Sequence, residues 1–186
     1  MKKASLFIAF TAFVVVVSLV TSCKKDSTPA TTTLSLYDSL GGTAMVQDPK
    51  AATGVMIEKG RLGIRSVVDS TIFVIAADSR INGYFQTLLT EVGAGNTTGF
   101  VELSKNLTDL LAVSTGAKNY TYTGDNMVAA HDPAQNPRIK MKADNAAMDA
   151  FISDVVVGAN KNSLPSYLIP RVGALLESLR TQVVQR

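Results

Sequence analysis

A chain of 186 residues, 46% hydrophobic and 18% charged, can bury the core of one ordinary domain, which excludes wholesale disorder. Its formal charge is +3, but Lys2 and Lys3 sit in an N-terminal leader, and the remaining +1 gives no basic stripe for nucleic acid. One cysteine excludes an intramolecular disulfide and any paired-cysteine zinc site, and one histidine excludes a multi-histidine metal cluster.

The leader comes first. Met1-Lys-Lys-Ala4 is a short positive region, and Leu6 to Val20 is an apolar run with four valines, Val14 to Val17, at its centre. It has the length of a signal peptide and is short for a span of about 20 apolar residues. Val20-Thr21-Ser22-Cys23 resembles the lipobox of bacterial lipoproteins, in which small residues admit the peptidase and the cysteine thiol takes a diacylglycerol. Residues 1–22 are therefore expected to be a signal peptide, with Cys23 the lipidated residue. Residues 23–33, with no aliphatic side chain larger than alanine, read as a flexible tether. The acyl chains would hold the protein on a membrane without a spanning helix. Lysine rather than aspartate follows Cys23, which points to an outer-membrane lipoprotein of the cell envelope, facing the periplasm or the cell surface.

The folded domain is expected over residues 34–186. Leu34-Ser-Leu-Tyr37 opens a short segment closed by Gly41-Gly42. Four apolar stripes follow at helical spacing. They are Ile64, Val67, Val68, Ile72 and Ile75; Phe100, Leu103, Leu107, Leu110 and Leu111; Met148, Phe151, Ile152, Val155 and Val156; and Leu168, Val172, Leu175, Leu176, Leu179 and Val183. Gly93 to Gly99 and Pro133 to Pro137 read as loops. Ser163-Leu-Pro165 reads as a helix start, and Pro170 should kink the last helix or delay it. No strand of useful length is apparent, so the expected fold is all-α, with five to six helices.

His131 ends the run Tyr120-Thr-Tyr-Thr-Gly-Asp-Asn-Met-Val-Ala-Ala-His131. Asp125 or Asn126 can cap a short helix, which places Met127 and His131 on one face at i and i+4. Such an imidazole suits a single axial ligand to a planar cofactor. It suits equally a surface histidine or a hydrogen-bonded one in the core.

Three blocks of this chain resemble the group 1 truncated haemoglobins, bacterial two-over-two helical globins. They are Ser35-Leu-Tyr-Asp-Ser-Leu-Gly-Gly42, the long stretch from Val67 to Phe85, and Tyr122-Thr-Gly-Asp-Asn-Met-Val-Ala-Ala-His131. The order is that of the family, and the blocks span most of residues 35–131. The resemblance implies a truncated globin-like fold, a haem b cofactor with its iron, and reversible binding of oxygen or nitric oxide. It makes His131 the proximal iron ligand, Phe85 the aromatic packed on the haem at the corner with Tyr84 beside it, and Met127 a proximal wall residue. Asn106 falls near the family's polar distal position. Independently, Asn106 lies on an otherwise apolar stripe, where an unpaired buried amide costs about 1–3 kcal/mol. A bound gas or a water could partner it, and so could the backbone.

The chain departs from the family pattern in places. The distal tyrosine falls on Ile72, with Thr71 in the preceding aromatic position, so the phenol that would bond the gas is missing. Residues 43–63 are an insertion before the second main helix, and the 86–99 loop looks longer; both are expected to flank the pocket. Arg61, Arg65 or Lys105 could reach a haem propionate. Redox detoxification would need an electron donor, a partner the sequence does not name. The alternative reading is a globin-fold interaction module without haem that binds a protein through its inserted loops. A hydrolase is disfavoured by the absence of Gly-x-Ser-x-Gly.

Overall fold

The computed structural model describes residues 34–186. The expected leader, Cys23 and the tether lie outside the described residues.

Ser35 caps the first helical turn, α1 (Leu36–Ser39): its hydroxyl accepts from the Asp38 amide and donates to the Asp38 carboxylate. Tyr37 and Leu36 are buried. The chain then turns at Gly41 and Gly42, both left-handed, into a short antiparallel hairpin of β1 (Met45–Gln47) and β2 (Met56–Glu58), in which Val46 pairs with Ile57. This hairpin lies within the 43–63 insertion and adds two strands of three residues to an otherwise helical fold. It is sewn to the following helix by ion pairs from Asp48 to Arg65 and from Lys50 to Asp69. At its base the buried Glu58 accepts from the Tyr37 hydroxyl and from Asn119, each at 2.6 Å. Burial and that carboxylate push the Tyr37 phenol well above its ordinary pKa.

The first stripe forms α2 (Lys59–Ala77), which buries Ile64, Val68, Thr71, Ile72 and Ile75. A 3₁₀ turn (Asn82–Phe85) leads into α3 (Gln86–Gly93). The 86–99 segment is therefore mostly helical; its loop is only 94–97, because Thr98 and Gly99 already belong to α4 (Thr98–Thr115). Gly116, left-handed at φ 107°, ends α4. One turn, α5 (Met127–Ala130), carries His131 at its end. The third stripe forms α6 (Asn145–Lys161), capped by Asp144.

The last stripe is divided. Ser163 is not a helix start: it sits at φ 55° just past the end of α6. Pro170 falls in the first turn of α7 (Ile169–Glu177), where a missing N–H costs nothing, so it delays the helix rather than kinking it. A break at Ser178 and Leu179 separates the one-turn α8 (Arg180–Val183).

The long helix α2 is the hub and packs against both α4 and α6, while α7 and α8 pack on α6. The crossing of α2 and α6 is close because position 158 is glycine: a Cβ there would overlap the Thr71 hydroxyl and lie 3.0 Å from the Val67 carbonyl. The main core joins Tyr37, Ile64, Val68, Ile72, Leu111, Met148, Val155 and Leu176. A second cluster, Ile75, Ile81, Ala143, Ala147 and Ala150, lies under Tyr84 and Phe85.

Candidate functional site

The fold leaves a cavity of about 360 Å³, within the usual range for cofactor and ligand pockets. Ile81, Tyr84, Phe85 and Leu88 line it from the corner and α3. Leu103, Asn106, Leu107 and Leu110 line it from α4, so the second stripe faces the cavity as well as the core. Met127 and His131 line it from α5, Met148 and Phe151 from α6, and Leu179 and Val183 from the last segment.

Asn126 caps α5 with its side-chain oxygen, accepting from the Ala129 amide at 2.9 Å. Asn136 reaches back to donate to the Ala130 carbonyl at 2.9 Å, closing the loop beyond the helix. His131 Nδ1 lies 2.8 Å from the Met127 carbonyl oxygen. A carbonyl only accepts, so Nδ1 carries the proton, and the neutral ring keeps a lone pair on Nε2. Burial lowers the His131 pKa from 6.5, opposed in part by the bond to Met127. A neutral imidazole whose second nitrogen is anchored on a backbone carbonyl is the usual form of a metal-ligating histidine.

The structure therefore brings His131, Met127, Tyr84, Phe85 and Asn106 to one cavity. Ile72 does not line it. It is buried in the main core together with Val68, Leu111 and Met148, and Met148 is the member of that group that forms cavity wall. Among the described residues the Asn106 amide makes no side-chain hydrogen bond, and no backbone group satisfies it. The Tyr84 hydroxyl, by contrast, accepts from Arg186 at 2.9 Å in an exposed setting. Asn106 is thus the polar group on α4 free to meet a ligand.

The three cations proposed for a propionate are engaged elsewhere. Arg61 pairs with Asp109 and lies 4.2 Å above the Tyr120 ring. Arg65 holds Asp48 through two bonds, and Lys105 pairs with Asp109. Each has a carboxylate within reach, and none lines the cavity. The cation that does is Arg138, which sequence reasoning missed. It bonds Glu91 at 3.3 Å and Glu102 at 3.0 Å. Gly99 makes its space, since a Cβ there would lie 2.9 Å from Arg138 Nε. Its signal in the sequence was slight: a cation on the loop seven residues beyond the histidine. No residue of the 43–63 insertion lines the cavity, whereas Leu88 and Gly99 of the 86–99 segment do.

No protein-family model and no curated protein matches the sequence. Solved structures do. Two variants of the truncated haemoglobin from Tetrahymena pyriformis, both in the Fe(III) form, are each 20% identical to this chain. One has a TM-score of 0.56 and an overlap of 81% of this chain and 98% of its own. The other has a TM-score of 0.57 and an overlap of 82% and 100%. With its helices and cavity laid out in this way, the chain has the fold of the truncated haemoglobins.

Proposed function

We propose that the chain is a haem-binding globin of the group 1 kind that takes up a diatomic gas, dioxygen or nitric oxide, with His131 as the single protein ligand to iron. The observation that carries this is the His131 ring itself. It is neutral, its Nδ1 is committed to Met127, and its Nε2 lone pair is left over beside an apolar cavity. Haem, when bound, would supply an iron that His131 could ligate and that could take up the gas. Phe85, Leu107 and Phe151 would hold the porphyrin by apolar contact and keep water out. Arg138 would pair with a propionate, exchanging one of its two carboxylate partners. Asn106 would donate its amide N–H to the gas on the α4 side. The one cysteine is Cys23, outside the globin part, so no thioether can be made there and haem b is the fitting form. Lipidation of Cys23 would tether the domain to the envelope membrane, and a redox role would require an electron donor from another protein.

The test is a titration of residues 34–186 with haemin, followed by absorbance, against His131→Ala. The expected outcome is a sharp Soret band that saturates at one equivalent in the wild type and is lost or displaced in the variant. Broad free-haem spectra from both proteins would overturn the proposal.

A further inference from the structure

His131 is carried by a helix of one turn that buries none of its residues. Such a turn does not hold itself, because nucleation fixes several dihedral angles for a single hydrogen bond. Its backbone ties are therefore informative. The cap from Asn126 and the bond from Asn136 to Ala130 come from the same loop and move with it. Among the described residues, one hydrogen bond reaches the α5 backbone from a distant part of the chain: Gln185 Nε2 donates to the Val128 carbonyl at 2.7 Å. The His131 amide also points at that carbonyl, but at 3.3 Å.

Gln185 is fixed in turn. Its amide donates to the Ala143 carbonyl at 2.9 Å, and Val184 forms a parallel bridge with Ala143. Arg186 spans the Tyr84 hydroxyl at 2.9 Å and the Asp144 carboxylate at 3.0 Å. Below this segment, Leu179 and Val183 form cavity wall. Three consecutive residues thus join α5, the start of α6 and the aromatic corner.

We infer that residues 184–186 are a strap that positions His131, with Gln185 as its positioning residue acting through the Val128 carbonyl of α5. Resting on the haem reading above, the strap sets where the imidazole meets the iron and how readily the cofactor leaves.

The experiment compares the wild-type chain with Gln185→Met, which keeps length without a donor, and Gln185→Glu, which offers only acceptors. The side chain is only half-buried, so both variants should fold, and far-UV circular dichroism checks this. In the cofactor-free proteins, amide hydrogen exchange is measured over residues 127–131. The His131 tautomer is read by nitrogen NMR, which is unambiguous with one histidine in the chain. Both variants should exchange faster at α5 and lose the pure Nδ1–H tautomer. In the loaded proteins, transfer of haem to an excess apoglobin acceptor should be roughly 3- to 10-fold faster, the effect of one net hydrogen bond. Unchanged exchange and tautomer in both variants would overturn the strap. A wild type that takes up no haem, while the variants still loosen α5, would overturn the haem reading and leave the strap standing as a device that orients His131.

Discussion

Burial keeps the His131 ring uncharged, and this sets the sign of a pH effect. A histidine whose folded pKa lies below 6.5 contributes stability that is present above 6.5 and is lost as pH falls from there through the lower folded value. The cofactor-free wild type should therefore lose urea resistance as pH falls below 6.5. His131→Phe should not show that component; identical slopes in the two proteins would contradict a buried neutral ring. Asn106 makes a second prediction. Asn106→Leu should leave haem uptake intact and speed dissociation of oxygen by about 2- to 10-fold, the loss of one hydrogen bond, measured by stopped flow. Five of the cavity-lining residues were legible in the sequence: His131 and Met127 from their spacing on a short helix, Asn106 as an amide on an apolar stripe, and Tyr84 and Phe85 from the resemblance to the truncated haemoglobins. Ile72 shows the limit. Helical period places a residue on the buried face of α2 without saying whether core or cavity lies opposite. Arg138 was hidden for another reason, since a loop has no period to read.

The elements divide by length. Four long stripes announce themselves, because three or more turns of repeated spacing outweigh the mixed propensity of their valines. Three-residue strands do not, and the hairpin supplements a ladder of only three paired positions with ion pairs to α2. The 86–99 segment reads as one long loop in the sequence, yet its first eight residues form a helix that supplies Leu88 to the cavity. The contact between α2 and α6 gives a prediction at this scale. Gly158→Ala would press a methyl group on the Thr71 hydroxyl and the α2 backbone, which cannot withdraw. It should destabilise the domain by about 1–3 kcal/mol, seen as a lower urea midpoint with unchanged slope. A midpoint equal to wild type would show that the crossing is looser than the contact implies.

For the whole molecule, stability depends on pH through its buried titratable groups. Asp154 is 2% exposed, and one of its carboxylate oxygens has no hydrogen-bond partner among the described residues. Burial and the neighbouring Asp78 push its pKa up to about 6, while Arg80 holds Asp78 down at about 2. A raised carboxyl contributes stability that is present below its unfolded value near 3.8 and is lost as pH rises through about 6. This opposes the His131 effect, so Asp154→Asn should make the wild-type fall below pH 6.5 steeper, and a flatter curve would contradict the assignment. The fold was legible from periodicity and three motif blocks, while the cavity and its strap depend on contacts between distant segments that no local pattern records. Nε2 of His131 is the proposed iron ligand. With one histidine in the chain, incorporating ¹⁵N-histidine labels that ring alone. Resonance Raman spectra of the ferrous, ligand-free protein should then show a low-frequency iron–histidine band that shifts on labelling. A haem-loaded protein in which no band responds to the label would contradict the account.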